Sequence, residues 1–246
     1  MADAIELDLR ALVFDVFGTV VDWRSGVISE VTEFARRHAL TTIDPAAFAD
    51  VWRSHYSPSM EEVRSGRRPF TRLDVLHRES LEKTLATFGA SAASLPADAL
   101  TELNLAWHRL DPWPDSVLGL TRLKSRYIIA PLSNGNIRLM LDMAKRAGLP
   151  WDAILGAETA QAYKPAPQAY LRTAEILDLR PEQICMVAAH NSDLAAARLC
   201  GMRTAFIPRP TEHGPQQTKD LVPEQDWDVV ARDMLDLAQK LGCSPT

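Results

Sequence analysis

Two kinds of hydrophobic pattern alternate along much of the chain. Short continuous apolar runs, typical of buried parallel strands, predict strands at residues 11–15, 127–132, 153–156, 184–188 and 204–207. Segments of helical period predict helices at residues 116–125, 137–147, 167–177, 194–200 and 229–241. Strands that alternate with helices are typical of an α/β fold with a doubly wound parallel sheet, and we expect that fold class here.

Between the first and second predicted strands the pattern is helical throughout. It predicts helices at residues 27–38, 45–65, 72–88 and 97–110, with Gly89 and Pro96 as breaks and no convincing strand. The run Asp111-Pro112-Trp113-Pro114 reads as a hinge or linker. We therefore expect an all-helical cap domain at residues 23–114, inserted over the carboxyl edge of a core domain made of residues 1–22 and 115–246.

Composition and charge narrow the possible partners and compartment. The net charge is −5 and the basic residues form no block, which argues against nucleic acid or an anionic membrane as a partner. Cys185, Cys200 and Cys243 are too few and too widely spaced for a disulfide framework, and no Cys/His spacing resembles a zinc site. Residues 1–10 lack the apolar segment of a signal peptide, and no apolar run approaches the roughly 20 residues that cross a bilayer. We expect a soluble, reduced, cytoplasmic protein.

Polar residues follow three of the predicted strands, and a lysine precedes a predicted helix. Ligands in open α/β sheets bind outside the carboxyl ends of the strands, so we expect these side chains to form one site. Asp15 has the clearest chemistry, because a carboxylate at a strand end can attack an electrophile and form an ester that water cleaves. The residues concerned are Asp15, Ser133, Asn134, Lys164, His190 and Asp193.

Four motifs in this order make the chain resemble the haloacid dehalogenase superfamily over nearly its whole length. They are Phe14-Asp15-Val16-Phe17-Gly18-Thr19, Leu132-Ser133-Asn134-Gly135, Tyr163-Lys164-Pro165 and the run from Ala188 to Asp193. The resemblance implies a Rossmann-like core with an inserted helical cap. It also implies that Asp15 is the nucleophile.

Two departures from the pattern of superfamily phosphatases favour attack of the nucleophile on carbon over attack on phosphorus. Those enzymes carry a general acid two residues after the nucleophile, where this chain has Phe17, and a magnesium carboxylate where it has Ala189. The branch that lacks both resembles the L-2-haloacid dehalogenases, in which halide leaves without a proton. The resemblance therefore implies hydrolysis of short (S)-2-haloacids to (R)-2-hydroxy acids with no cofactor and no metal. A 2-halocarboxylic acid and a halide ion are the expected partners, and the resemblance suggests a homodimer.

The resemblance also assigns roles to residues near Asp15. Ser133, with the backbone N–H groups of Val16 and Phe17, is expected to bind the substrate carboxylate, and Asn134 is expected to face the halide. Lys164 is expected to neutralise the carboxylates around the reaction centre. Thr19 is expected to hydrogen-bond near the nucleophile, although a turn threonine is an equal alternative.

Three further residues match the dehalogenases at positions where packing is a serious alternative. Arg53, in the pair Trp52-Arg53, is expected to stabilise the departing halide, but a solvated helix arginine has the same pattern. Phe70 is expected to line the pocket, and Tyr170 corresponds to a dehalogenase tyrosine. Core packing explains Tyr170 equally well, and ordinary packing of the cap explains Phe70 slightly better.

The fourth motif departs from the best-known dehalogenases, which have Ser-Ser-Asn where this chain has Ala188-Ala189-His190. Asp193 is expected to orient Lys164 and to activate the hydrolytic water. His190 replaces the asparagine expected to place that water, and it is expected to place the water or act as a base itself. A histidine that merely precedes a helix is the alternative. The change raises the hypothesis of a pocket shaped for a smaller halide such as fluoride.

Two other functions remain open from the sequence. A magnesium-dependent phosphatase or phosphonate-cleaving hydrolase of the same superfamily predicts activity that EDTA removes. A non-catalytic protein that binds a small acid predicts binding without turnover.

Overall fold

The computed structural model describes residues 8–243 and divides the chain into two compact units. The core unit is formed by the chain up to Asp22 and from Asp111 onward, and the helical unit is Trp23–Leu110. Most of the expectation about a signal peptide concerns residues 1–7, which lie outside the described residues.

The core unit contains a six-stranded sheet and a separate strand pair. The sheet strands are β1 Ala11–Phe14, β4 Ile128–Ser133, β5 Leu155–Gly156, β6 Ile184–Ala188, β7 Arg203–Phe206 and β8 Val229–Val230. Their order is β5-β4-β1-β6-β7-β8, and the paired strands are parallel. The strand pair, β2 Val21–Asp22 and β3 Asp111–Pro112, is antiparallel. Residues 111–114, which we expected to form a hinge or linker, therefore begin with strand β3.

The central strand explains why the catalytic candidates converge. All four residues of β1 are buried, and β1 pairs with β4 on one side and with β6 on the other. The register places Phe14 beside Pro131 and Val187, so the strands β1, β4 and β6 end at the same edge of the sheet. The prediction of an α/β fold with a parallel sheet is confirmed.

The described residues of the core unit form six α-helices. They are α6 Ser116–Lys124, α7 Ile137–Ala147, α8 Ala157–Ala160, α9 Pro167–Ile176, α10 Asn191–Leu199 and α11 Met234–Lys240. Helix α10 packs against β6 and β7, whereas α6 and α9 pack against β4. Because α10 begins at Asn191, Asp193 lies in its first turn and not in the preceding loop.

The prediction of one closing helix at residues 229–241 is wrong. The first two residues form β8 beside β7, and the helix begins only at Met234. The Asp233 side chain accepts a hydrogen bond from the Asp236 backbone N–H and caps that helix. The helical spacing of apolar residues continues through β8. The pattern alone therefore does not show where the strand ends and the helix begins.

The helical unit contains five α-helices around buried tryptophans. The helices are α1 Trp23–Arg37, α2 Pro45–Ser54, α3 Tyr56–Arg64, α4 Leu73–Thr87 and α5 Ala97–Asn104. The helix predicted at residues 45–65 is interrupted at His55, because Pro58 lacks an N–H and its ring would clash with the carbonyl of Ser54 in a continuous helix. The helix predicted at residues 97–110 ends at Asn104 and continues as a 3₁₀ turn, Leu105–His108.

None of the helices in residues 8–243 is both long enough and apolar enough to pass through a bilayer. The three cysteines are free thiols, as the sequence predicts.

Candidate active site

Asp15 leaves β1 directly into a tight turn. Gly18 adopts a φ of +88°, a conformation that favours glycine, and the backbone N–H groups of Val20 and Val21 both donate to the Val16 carbonyl. The turn brings the Thr19 hydroxyl to Asp15, and Thr19 Oγ1 donates to Asp15 Oδ2 over 2.8 Å. Thr19 Oγ1 in turn accepts from the Ala189 backbone N–H over 2.9 Å. Thr19 thus orients one carboxylate oxygen.

Lys164 joins Asp15 to Asp193. Its Nζ lies 3.0 Å from Asp15 Oδ1 and 2.5 Å from Asp193 Oδ2, and only 7% of its side chain is exposed. The Tyr170 hydroxyl donates to Asp193 Oδ1 over 2.6 Å. Both oxygens of Asp193 therefore have partners, and Tyr170 holds the aspartate that holds Lys164.

The surroundings of Asp15 and Asp193 shift the pKa values of the two carboxyl groups in opposite directions. Burial opposes ionisation of Asp15, but the Lys164 ammonium, His190 and the Thr19 hydroxyl outweigh it and hold the pKa of Asp15 below its usual range. Burial and the nearby Asp15 charge raise the pKa of Asp193 despite Lys164. Burial alone would lower the pKa of Lys164, but the two carboxylates raise it, so the ammonium is retained. Asp15 is consequently the carboxylate kept ionised, which nucleophilic attack requires.

His190 lies between two carboxylates. Its Nδ1 is 3.1 Å from Asp15 Oδ2, and its Nε2 is 2.9 Å from Glu212 Oε2. Burial disfavours the charged ring, but Glu212 and Asp15 together raise the pKa of His190 well above its usual value. His190 occupies the N-cap position of α10, yet its side chain makes no capping hydrogen bond, because the ring is directed to the two carboxylates.

Glu212 is the site residue that sequence reasoning missed. It lies on the loop after β7, and its side chain is only 1% exposed. A Cβ at Gly18 would lie 2.1 Å from Glu212 Oε1, so the glycine is also needed to admit this carboxylate. The rule that ligands bind at carboxyl strand ends, applied to β7, would have drawn attention to this loop.

Ser133 and Asn134 are buried at the end of β4 and shape the same edge of the sheet. Ser133 Oγ accepts from the Gly135 backbone N–H over 3.0 Å, and Asn134 Oδ1 accepts from the Lys164 backbone N–H over 2.8 Å. Asn134 therefore fixes the backbone that presents Lys164. The expected substrate roles of these two side chains, and of the Val16 and Phe17 backbone, stay predictions.

The two departures from the phosphatase pattern are both apolar and buried. Phe17 is 2% exposed and Ala189 is 1% exposed. The Ala189 position offers a methyl group and a backbone N–H bound to Thr19, not a carboxylate. Lys164 already occupies the space between Asp15 and Asp193 as a cation. These residues are a poor fit to a magnesium site of the phosphatase kind.

Arg53 and Phe70 belong to the helical unit. The Arg53 guanidinium carbon lies 3.8 Å from the centroid of the Tyr56 ring and 5.2 Å from that of Trp23, so this arginine is stacked on aromatic rings. Phe70 is half-buried in the segment between α3 and α4. The expected roles of Arg53 in stabilising the departing halide and of Phe70 in lining the pocket stay predictions.

Comparison with known proteins agrees with this geometry. The family model for haloacid dehalogenase-like hydrolases matches residues 9–201. The fold is similar to a solved defluorinating L-2-haloacid dehalogenase, with 55% identity, 95% of each chain covered and a TM-score of 0.93. A solved L-2-haloacid dehalogenase is 48% identical, with a TM-score of 0.91 over 96% of this chain and 100% of the other. An (S)-2-haloacid dehalogenase of Pseudomonas sp. strain CBS-3 is 30% identical over 82% of this chain and 85% of its own length. The chain belongs to the haloacid dehalogenase-like hydrolase family.

Proposed function

We propose that the protein hydrolyses short (S)-2-haloacids to (R)-2-hydroxy acids through an ester on Asp15. The observation that carries the proposal is the contact of the Asp15 carboxylate with Lys164 and Thr19, at a strand end where the phosphatase acid is replaced by Phe17. The similarity to L-2-haloacid dehalogenases supports the same chemistry.

In the first step the Asp15 carboxylate attacks carbon 2 from the side opposite the halogen. The new C–O bond forms as the carbon–halogen bond breaks, the electron pair leaves with the halide, and the carbon centre is inverted. Halide leaves without a proton, so an apolar residue at position 17 is compatible with this step. Lys164 and Thr19 hold the nucleophile in one orientation, which lowers the entropic cost of attack.

In the second step water attacks the ester carbonyl of Asp15, and the C–O bond between that carbonyl and the product oxygen breaks. We assign proton acceptance to His190, because its Nδ1 faces Asp15 while Glu212 stabilises the charged ring from the Nε2 side. Conversion of Asp15 to a neutral ester removes one of the two anions that hold the second proton on His190, so the ring releases that proton from Nδ1 to solvent and becomes a neutral base. The departing alkoxide takes the proton that His190 accepted from water and leaves as the 2-hydroxy acid, and the new carboxyl group of Asp15 passes its remaining proton to His190, which restores both charges.

Asp193 then has a different role from the one expected. Lys164 and Tyr170 occupy both of its oxygens, so we assign it to the positioning of Lys164 and not to water activation. Tyr170 becomes a positioning residue for Asp193. We keep three assignments as predictions from the family resemblance. Ser133 with the Val16 and Phe17 N–H groups binds the substrate carboxylate, Asn134 and Arg53 contact the halide, and Phe70 lines the pocket.

A halide assay with each enantiomer of 2-chloropropionate, with and without EDTA, tests the proposal. We expect chloride release from the S enantiomer, no effect of EDTA, and loss of activity in Asp15→Asn. Chiral chromatography should identify the product as (R)-lactate. Activity that appears only with magnesium and a phosphate ester would contradict the proposal, and binding of the acid without halide release would favour a non-catalytic protein.

Fluoroacetate is a specific extension of the substrate range. The similarity to a defluorinating L-2-haloacid dehalogenase at 55% identity supports including it. We expect fluoride release detectable with an ion-selective electrode under conditions that release chloride from chloroacetate. Chloride release without any fluoride release would restrict the range to the larger halides.

We also propose that the protein acts in the cytoplasm as a homodimer. Size-exclusion chromatography with light scattering tests the second point, with an expected mass of twice the 27.3 kDa of one chain.

A further inference from the structure

Three potential metal ligands meet at the outer side of His190. Within residues 8–243, the ligand atoms of His190, Glu212 and His213 lie within 4.8 Å of one another. His190 Nε2 is 2.9 Å from Glu212 Oε2, and His213 Nε2 is 3.5 Å from Glu212 Oε1. In a tetrahedral site with bonds of about 2.1 Å, neighbouring ligand atoms are roughly 3.4 Å apart. The two distances between histidine and carboxylate are therefore already close to the spacing that one metal ion requires, and the third pair lies within 4.8 Å.

The ligand types select a particular class of ion. Two imidazoles and one carboxylate suit zinc, copper or nickel, whereas magnesium prefers an octahedral shell of oxygen atoms. The carboxylates of Asp15, Asp193 and Glu212 outnumber the single ammonium of Lys164, so the surroundings favour an added cation once His190 is neutral. This site is separate from the magnesium position of phosphatases, which Ala189 and Lys164 disfavour.

The three ligands also differ in exposure. The Glu212 side chain is 1% exposed and the His190 side chain 20%, whereas that of His213 is 47% exposed. An ion can therefore approach from the His213 side and be held on the inner side by Glu212 and His190.

We propose that His190, Glu212 and His213 form an inhibitory site for a divalent transition-metal ion of the Zn²⁺ class. The ion binds His190 Nε2 in place of the hydrogen there, which is released to solvent, and so replaces the hydrogen bond between His190 and Glu212. The remaining ring hydrogen then stays on Nδ1, facing Asp15, and Nδ1 can no longer accept a proton from water. The inhibitory effect rests on the proposed function, but the binding of the ion does not.

The predicted inhibition is confined to one half of the reaction. Attack of Asp15 on carbon 2 requires no proton transfer, so the ester still forms when the ion is bound. Hydrolysis of the ester requires His190 and stops. Zinc should therefore allow about one halide ion to be released per chain and leave Asp15 alkylated.

Isothermal titration with ZnCl₂ tests binding without any substrate. The full chain is used without an affinity tag, after chelator treatment and in a non-coordinating buffer. We expect one zinc ion per chain, no competition by a large excess of Mg²⁺, and a loss of affinity of roughly tenfold or more in His213→Ala. His38→Ala, which removes a histidine of the helical unit, and Cys200→Ser, which removes a partly exposed thiol, serve as matched controls with unchanged affinity.

Rapid-quench kinetics with (S)-2-chloropropionate and intact-protein mass spectrometry test the inhibition. With zinc, the wild-type protein should release a burst of about one chloride per chain and gain the mass of the propionate group. His213→Ala should keep its metal-free activity and turn over at zinc concentrations that stop the wild-type protein.

The two measurements separate the possible failures. Equal zinc affinity in the wild-type protein and His213→Ala would overturn the site. Binding that depends on His213 without ester accumulation would overturn the inhibitory role. No chloride release by the metal-free protein would instead overturn the proposed function and leave the titration as an independent result.

Discussion

Glu212 Oε2 lies 2.9 Å from His190 Nε2, on the side of the ring opposite to Asp15. The pair is separated by 22 residues in sequence and is assembled by the loop after β7. A carboxylate behind a histidine fixes which nitrogen faces the reaction and stabilises the ring when it gains a proton. In the proposed mechanism, this relationship determines how fast Asp15 is regenerated.

Glu212→Gln should therefore slow ester hydrolysis more than ester formation. The glutamine keeps a hydrogen-bond partner for His190 but removes the charge, so we expect a loss in kcat of roughly 10- to 100-fold, less than complete loss of a general base. Rapid-quench assays should show a halide burst, and mass spectrometry should detect the alkylated chain. Equal slowing of both steps would instead indicate that Glu212 is only structural.

Lys164→Met should abolish most of the activity through the first step. Without the ammonium, the carboxylates of Asp15 and Asp193 lose the cation between them, and the nucleophile loses the group that holds Oδ1. We expect a fall of at least about 10²–10³-fold in the single-turnover rate of halide release. Tyr170→Phe is the milder comparison, because it removes one hydrogen bond to Asp193 and leaves Lys164 in place. A single-turnover rate for Lys164→Met close to that of the wild-type protein would refute the assignment.

The parts of the site that lie next to strands could be predicted from the sequence. Asp15 and Ser133 each end or follow a continuous apolar run, and parallel strands bring such ends to one edge. Lys164 follows no strand of the sheet directly, and it entered the predicted site through its family motif and its position before a helix. Its bridge between Asp15 and Asp193 shows why the motif requires a lysine there.

Glu212 and β8 could not be predicted in the same way. Glu212 follows β7 by several residues in a segment with no period, so nothing local marks it as buried. Strand β8 has only two residues, too few for a period-two pattern to be distinguished from the helix that follows. The break at His55 had a readable cause in Pro58, but the helical period on both sides of it masked the break.

Arg209 connects the nucleophile turn to the rest of the core unit. Its Nε donates to the Thr19 carbonyl over 3.0 Å, and its two terminal nitrogens bind Asp115 at 2.7 and 2.8 Å. Arg209→Met should leave Asp115 largely buried without a cation and cost about 3–5 kcal/mol of stability. Urea denaturation measures this loss.

The double variant Arg209→Met with Asp115→Asn is the control, because it removes both charges and should recover part of the lost stability. If the double variant is less stable than Arg209→Met alone, the loss does not come from the unpaired charge. Activity should fall in both variants, since each loses the hydrogen bond to the Thr19 carbonyl.

Asn191 anchors the distal end of the segment that carries Glu212. Its Nδ2 donates to Asp220 over 2.9 Å and to the Val222 carbonyl over 3.1 Å. Its Oδ1 accepts from the Glu224 backbone N–H and from Trp227 Nε1, both over 2.9 Å. With its side chain 2% exposed, Asn191 uses its amide fully to hold this segment.

Asn191→Leu should release this segment, because a leucine of similar size offers none of these hydrogen bonds and leaves buried polar groups unpaired. We expect faster tryptic cleavage after Lys219 and a lower kcat with accumulation of the ester, since Glu212 is no longer held against His190. Thr218→Ala, an exposed change on the same segment, should alter neither measurement. Faster cleavage without ester accumulation would show that the segment does not position Glu212, and unchanged cleavage would show that Asn191 does not anchor it.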